Sequence, residues 1–383
     1  MRNAKFGMRN CRGRSTRYTT LTLRFRIPHS PFRIRFIHSV FRISPVLVGV
    51  ATLALLSAAC QGDGRTPLVI YSPHGRDLLT LLERRFERLH PDVDVRWLDM
   101  GSQEVYDRLR SERPNPQADV WFGGPATIFA RGAADSLLEP YRPGWAGAIA
   151  PHGRGPGDRY FAVYETPAVI VYASQALSAD AAPRDWDDLL DPRWKGKILI
   201  RDPLASGTMR AVWGMIIERG LRQTGDTAAG FQWLRRLDAQ TKEYVLSGAL
   251  LDQKIVRQEG LVTIWDLPDI LLSTRDGLQL GYVFPASGTP VIEDAIGVVR
   301  HARHRAQAQA FVEEVGSIAA QLVATREAYR LPARLDLPVD SLPPWAGEVR
   351  RAMRVAEVDW DLLAARGPEW MRHWDETVRG HAR

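Results

Sequence analysis

Cysteine is nearly missing from this chain: its 383 residues hold two, Cys11 and Cys60. No disulfide framework and no thiolate metal site can be built in the body that follows them. Acidic residues are missing before Cys60, where 11 Arg and Lys residues lie. The apolar run from Val46 to Ala59 has 14 residues, short of the roughly 20 that a membrane-spanning helix takes. G-x-S-x-G, Walker and H-E-x-x-H patterns do not occur, and the nine His residues show no metal-ligand spacing. These absences argue against a nucleophile-elbow hydrolase, a P-loop enzyme and a zinc peptidase.

What is present begins with that apolar run, VLVGVATLALLSAAC. A basic segment, an apolar stretch and then small residues make a secretory leader pattern. Ser57-Ala58-Ala59-Cys60 also resembles a bacterial lipobox, in which the Cys carries lipid and begins the mature chain. Its departure is Ser57, where Leu is most usual. Gln61 to Gly64 then supplies a polar tether. Met8 is an alternative start. The full chain has 51 basic and 44 acidic residues and a pI of about 9.6. Setting the 11 leader cations aside leaves 40 basic against 44 acidic residues, a net charge of −4. A nucleic-acid partner therefore loses its electrostatic support. The roughly 320 residues that remain are ample for core burial and usually divide into two lobes.

The pattern after the tether alternates strand and helix. Leu68 to Tyr71 reads as a strand, and Asp77 as a cap for the helix carrying Leu78, Leu82, Phe86 and Leu89. Pro91 ends that helix. Val93 to Trp97 is a second strand, Gly101-Ser102 opens a helix to about Glu112, and Ala118 to Phe122 is a third strand. Such alternation predicts an α/β lobe with a mainly parallel sheet, whose ligands bind at the carboxyl ends of strands. Tyr160 to Tyr172 reads as an extended crossover broken at Pro167. Lys197 to Arg201 is a strand. Gly207 to Arg219 is a helix, with Gly220 placed at its C′ position. Phe231, Leu234 and Leu237 mark another helix. Leu261 to Trp265, Gly281 to Phe284 and Ala295 to Val299 read as strands, the last returning to the first lobe. Ala306 to Val323 reads as one helix, and the tail is Pro-punctuated, then helical and Trp-rich. Asp187-Asp188 and Glu313-Glu314 read as solvated helix faces. HARHR, from His301 to Arg305, reads as surface or a helix start.

The strings VIYSPH, PQADVWFGG, WDDLLDPRWKGKILIRDPLASGT, EYVLSG, GYVFPASGTPVIEDAIGVV and VDWDLLAARGPEWMRHWDE resemble a known family. It is that of type II periplasmic solute-binding proteins of bacterial ABC importers. The nearest subgroup covers ferric iron, aminoethylphosphonate, phosphoglycerate, polyamine and thiamine binders. The resemblance runs from about Leu68 to Asp375. It implies a two-lobed α/β fold with a ligand cleft between the lobes. The expected division is a signal peptide over 1–59, a lipid-anchored tether over 60–66, one lobe over 67–165 and 296–330, and a second over 166–295 and 331–383. It further implies an exported lipoprotein on the periplasmic or extracellular face, monomeric, with an ABC permease and ATPase as partners. No catalytic residue, metal or cofactor is expected.

The candidate ligand-binding residues are Ser72, His74, Ser102, Gly124, Thr166, Ser206, Gly207, Thr208, Trp265 and Asp266, with Cys60 as the lipidation site. Ser206-Gly207-Thr208 sits between strand and helix, where free N–H groups and the helix dipole favour an anion. A plain N-cap explains the same residues. In the family this loop often holds phosphate, phosphonate or carboxylate oxygens. His74 matches an iron ligand of the ferric binders. The Glu those binders use is replaced by Gly123-Gly124, and their Tyr pair by Trp265-Asp266-Leu267-Pro268. Loss of both phenolates argues against ferric iron. Asp266 suits an ammonium, or caps the helix after Pro268. Trp265 suits a ligand face or core packing. Glu165 stands where relatives often have Arg. The expectation is a small organic anion or zwitterion. A polyamine or other organic cation, ferric iron, and a secreted enzyme or sensor on the same fold are the alternatives.

Overall fold

The computed structural model describes residues 64–380; Cys60, the leader and the tether up to residue 63 lie outside the described residues. The chain opens with β1 (Thr66–Ser72), α1 (Gly75–Leu89), β2 (Val93–Asp99), α2 (Ser102–Ser111), β3 (Val120–Pro125) and α3 (Ala126–Ala134). β1 pairs in parallel with both β2 and β3. Its side chains alternate between two cores, as period-2 geometry requires. Leu68 and Ile70 face α1, which contributes Leu78, Leu82 and Phe86. Val69 and Tyr71 face α2 and α3, with Val105, Leu109, Ile128 and Phe129.

β4 (Phe161–Ala173) then leaves this lobe in one continuous strand. The second lobe holds β5 (Ile198–Arg201), α4 (Gly207–Thr224), α5 (Ala228–Gln240), β6 (Thr241–Val245), α6 (Gly248–Val256), β7 (Val262–Asp266), α7 (Leu267–Arg275) and β8 (Leu280–Val283). β9 (Val291–Val298) returns, followed by α8 (Arg305–Val315), α9 (Ile318–Ala328), β10 (Leu331–Pro332), α10 (Pro344–Ala352) and α11 (Trp360–Thr377). Ala168 and Ile170 of β4 face a core with Trp213, Trp370 and Trp374. Val169 and Val171 face another with Leu251, Trp265 and Ile270. Each lobe is thus a sheet with a packed layer on both faces.

Several expectations are corrected. The sheet is mixed, because β9 runs antiparallel to β3 and β4, and β7 and β8 antiparallel to β4. Pro167 does not break β4. It marks a change of neighbour instead, since residues through Pro167 pair with β9 and those from Ala168 with β7. Asp77 is not a cap: α1 starts at Gly75, which puts Asp77 in its first turn with no side-chain cap at the helix start. α4 runs past Gly220 and ends at Gly225, which has φ +76°. Gly220 serves a different purpose. A Cβ there would stand 2.4 Å from the backbone N of Gly230, so α4 and α5 cross too closely for any side chain. The single helix expected over 306–323 is two, α8 and α9. Between them, Gly316 meets the Trp145 ring and Ser317 caps Ala320. The acidic pairs are not merely solvated. Asp187 accepts from Arg219 and Trp233, Asp188 from the backbone of Arg184 and Asp185, Glu313 from Tyr141 and Gly144, and Glu314 pairs with Arg85.

Candidate functional site

The cleft between the lobes holds a cavity of about 630 Å³. Strand-to-helix turns from both lobes form its wall. His74-Gly75 follows β1, Gly101-Ser102 follows β2, Ser206 to Thr208 follows β5, Ser247-Gly248 follows β6, and Asp266 ends β7. The first turns of five helices, α1, α2, α4, α6 and α7, therefore line one space. Each leaves backbone N–H groups without intrahelical partners.

Seven of the ten candidate residues line this cavity: His74, Ser102, Ser206, Gly207, Thr208, Trp265 and Asp266. Ser72, Gly124 and Thr166 do not, and each instead supports the wall. Ser72 is fully buried and its Oγ accepts the His74 N–H at 3.2 Å. Thr166 donates to Asp294 at 2.5 Å, and the Gly124 N–H donates to the same carboxylate at 3.2 Å. Ser206 Oγ accepts from the Met209 N–H at 3.2 Å, so it is a helix cap. Thr208 donates to Asp266 at 2.7 Å. Asp266 occupies the N-cap position of α7 but makes no side-chain cap bond. A Cβ on Gly207 would stand 2.5 Å from Pro125 and 2.8 Å from Ser102 Oγ. What approaches that backbone is the opposite lobe. Trp265 does both things expected of it, packing in the second lobe's core while lining the cavity. Glu165 does not line the cavity; it pairs with Arg350 of α10 at 3.1 Å.

Sequence reasoning missed most of the charged wall. Asp99, Arg201, Asp252 and Asp269 line the cavity, and buried Arg330 stands behind them. Arg330 Nη2 donates to the His74 carbonyl of the first lobe at 3.2 Å and to Asp269 of the second at 3.1 Å. Arg201 Nη1 donates to the Val245 carbonyl at 3.2 Å. Burial raises the Asp99 carboxyl, helped by repulsion from Asp269. Burial pushes Asp252 up to about 7, against a 2.9 Å hydrogen bond from Ser273. Asp266 is raised by burial and then by Asp269. Burial, and then the Arg330 charge, hold His74 well below the usual imidazole range, so it is neutral.

Two lobes, a continuous crossover strand and a cleft walled by strand-to-helix turns make the architecture of a two-lobed solute-binding protein. The chain belongs to the bacterial extracellular solute-binding protein family, whose model matches residues 68–330. It is a type II solute-binding protein of the kind that serves ABC importers. A "Probable ABC transporter periplasmic-binding protein" of Sinorhizobium fredii is 25% identical over 334 residues, covering 86% of this chain and 91% of the relative. A "Putative 2-aminoethylphosphonate-binding periplasmic protein" of Salmonella typhimurium is 26% identical over 280 residues, covering 71% and 79%. The periplasmic binding protein AfuA from Actinobacillus pleuropneumoniae, solved with fructose-6-phosphate, superposes with a TM-score of 0.74 at 24% identity, over 83% of this chain and 100% of that one. Iron-bound HitA from Pseudomonas aeruginosa gives 0.68 at 18% identity, over 80% and 98%.

Proposed function

We propose that this chain captures a small organic anion or zwitterion, a phosphonate, phosphorylated compound or carboxylate, and delivers it to a membrane permease. The observation that carries this reading is the convergence of five helix N-termini on one cavity. Their unpaired N–H groups and dipoles favour negative charge. Arg201 adds a fixed cation on the same wall. Ferric iron fits less well, because no tyrosine is among the described residues that line the cavity. The protein does no chemistry on its ligand. It acts as a monomer, tethered through lipid on Cys60, and a mature N-terminus without acyl mass would refute the anchor.

Native mass spectrometry of protein purified from its source would weigh any retained ligand. Calorimetric titration then compares wild type with the Ser206→Ala/Thr208→Ala double variant. Thr208 gives its hydroxyl hydrogen to Asp266, so the donor available to the anion is that of Ser206; a hydrogen bond to a charged group is worth roughly 1.5–3 kcal/mol, so its loss should lower affinity at least about tenfold. Equal affinities, with only the ligand-free melting temperature lowered, would make this turn a helix cap and refute its role as an anion loop.

A further inference from the structure

One helix of the second lobe is fastened at both ends to the first lobe. α7 packs into the second lobe's core through Leu267 and Ile270. α9 packs into the first lobe's core through Ala320, Ala324 and Ala328. In the first turn of α7, Asp269 accepts from Arg330 Nη2 at 3.1 Å. The same nitrogen donates to the His74 carbonyl of the first lobe at 3.2 Å. In the last turn of α7, Arg275 Nη1 donates to the Glu327 carbonyl at 3.0 Å. Glu327 is in the last turn of α9, whose carbonyls lack intrahelical partners and carry the negative end of the helix dipole.

The backbone fixes where Arg330 stands. α9 ends at Tyr329, which takes the left-handed conformation at φ +52° where glycine is the usual residue. The Arg330 N–H turns back to the Ala324 carbonyl at 3.2 Å, and Leu331 then pairs with Glu165 of β4. The Arg330 side chain enters an acidic surround. Asp269 is in like-charge contact with Asp77 of α1 and Asp99 of β2 from the first lobe, Asp252 of α6 and Asp266 of β7 from the second, and Asp294 of β9. Arg330 opposes that repulsion at Asp266, Asp269 and Asp294 together.

We propose that Arg330, seconded by Arg275, is a clasp that draws the lobes together before any solute arrives, and so raises affinity without touching the solute. Arg330 is a positioning residue: it is buried and does not line the cavity. Removing its charge breaks a bond to each lobe and leaves Asp269 facing like charges from both. The closed, binding-competent fraction then falls, and apparent affinity falls by the same factor. The proposal holds for any solute and does not depend on the anion reading.

The test is solution scattering of the full chain, stripped of solute by unfolding, dialysis and refolding, in wild type, Arg330→Gln, Arg330→Lys and Arg275→Ala. Arg330→Gln keeps an N–H donor and loses the charge; its ligand-free radius of gyration should exceed that of wild type, with an unchanged far-ultraviolet spectrum. Arg330→Lys keeps the charge and should return the radius towards wild type, which a role in packing alone would not do. Arg275 is 41% exposed, so Arg275→Ala leaves both cores intact and should raise the radius by a smaller amount. A folded Arg330→Gln chain with the wild-type radius overturns the clasp. Should that variant fail to fold, a wild-type radius for Arg275→Ala overturns it instead.

Discussion

Asp294 shows how much one buried carboxylate can do. It ties the crossover strand to the first lobe through Thr166 and the Gly124 N–H. It is 6% exposed, and burial pushes its carboxyl up to about 6 against the opposing pull of Thr166 and Arg330. An unfolded Asp titrates near ~3.9. Between these two values the folded state binds more protons than the unfolded one. Stability contributed by this group is therefore present below about pH 4 and is lost as pH rises towards 6. Two pK units correspond to about 3 kcal/mol. Asp294→Asn keeps the shape and removes the titration. Relative to wild type, the variant should gain up to about 3 kcal/mol between pH 4 and pH 7, read by urea unfolding at each pH. A wild-type-to-variant difference that stays flat with pH would show that Asp294 does not carry the shift.

At the scale of elements, the sharpest case is the crossing of α4 and α5. A Cβ on Gly220 would overlap the Gly230 backbone, and neither helix can yield without moving the layer beneath it. Gly220→Ala should cost about 1–3 kcal/mol, the usual range for overpacking. Gly225→Ala meets open space and bears only the left-handed backbone at φ +76°, which costs roughly 1–2 kcal/mol. Urea midpoints should rank Gly220→Ala at least as destabilising as Gly225→Ala; a neutral Gly220→Ala would show that the helices separate freely. The same pair shows which features a sequence discloses. Strands such as β1 and β5 were legible because a short apolar run is a local signal. The end of α4 was not, because either glycine suits a helix end and only the packing of α5 tells them apart. The site divides in the same way. Ser206-Gly207-Thr208 was legible as a strand-to-helix turn, and Ser247-Gly248 repeats that turn within the EYVLSG string. Asp99, Asp252, Asp269 and Arg330 were not legible. Each reads as an ordinary polar position, and only the tertiary fold brings residues 99, 252, 269 and 330 to one wall.

For the molecule as a whole, the question is what couples the ligand to the arrangement of the lobes. The described structure has the lobes in contact. The Gln103 N–H reaches the Ala205 carbonyl at 3.5 Å, and a Cβ on Gly101 would stand 2.8 Å from that same oxygen. Gly207 meets Ser102 and Pro125, and Arg330 joins His74 to Asp269. β4 and β9 are the strands that run between the lobes, so bending near Glu165-Thr166 and Asp294-Ala295 would open the cleft while both cores stay intact. Like charges facing each other across the cleft oppose the closed arrangement, and the contacts just named favour it. A ligand that answers those charges shifts the balance by its differential affinity for the two arrangements. The radius of gyration from solution scattering should therefore fall on ligand addition, towards the value calculated from this structure. The melting temperature should rise by mass action, since ligand at 100 times its dissociation constant contributes about 2.7 kcal/mol. Asp99→Asn should shrink the ligand-free radius, because it removes the repulsion from Asp269 across the cleft without a ligand. A true ligand that raises the melting temperature but leaves scattering unchanged would mean that binding occurs in a cleft already shut. The carboxylates would then act on affinity and not on closure.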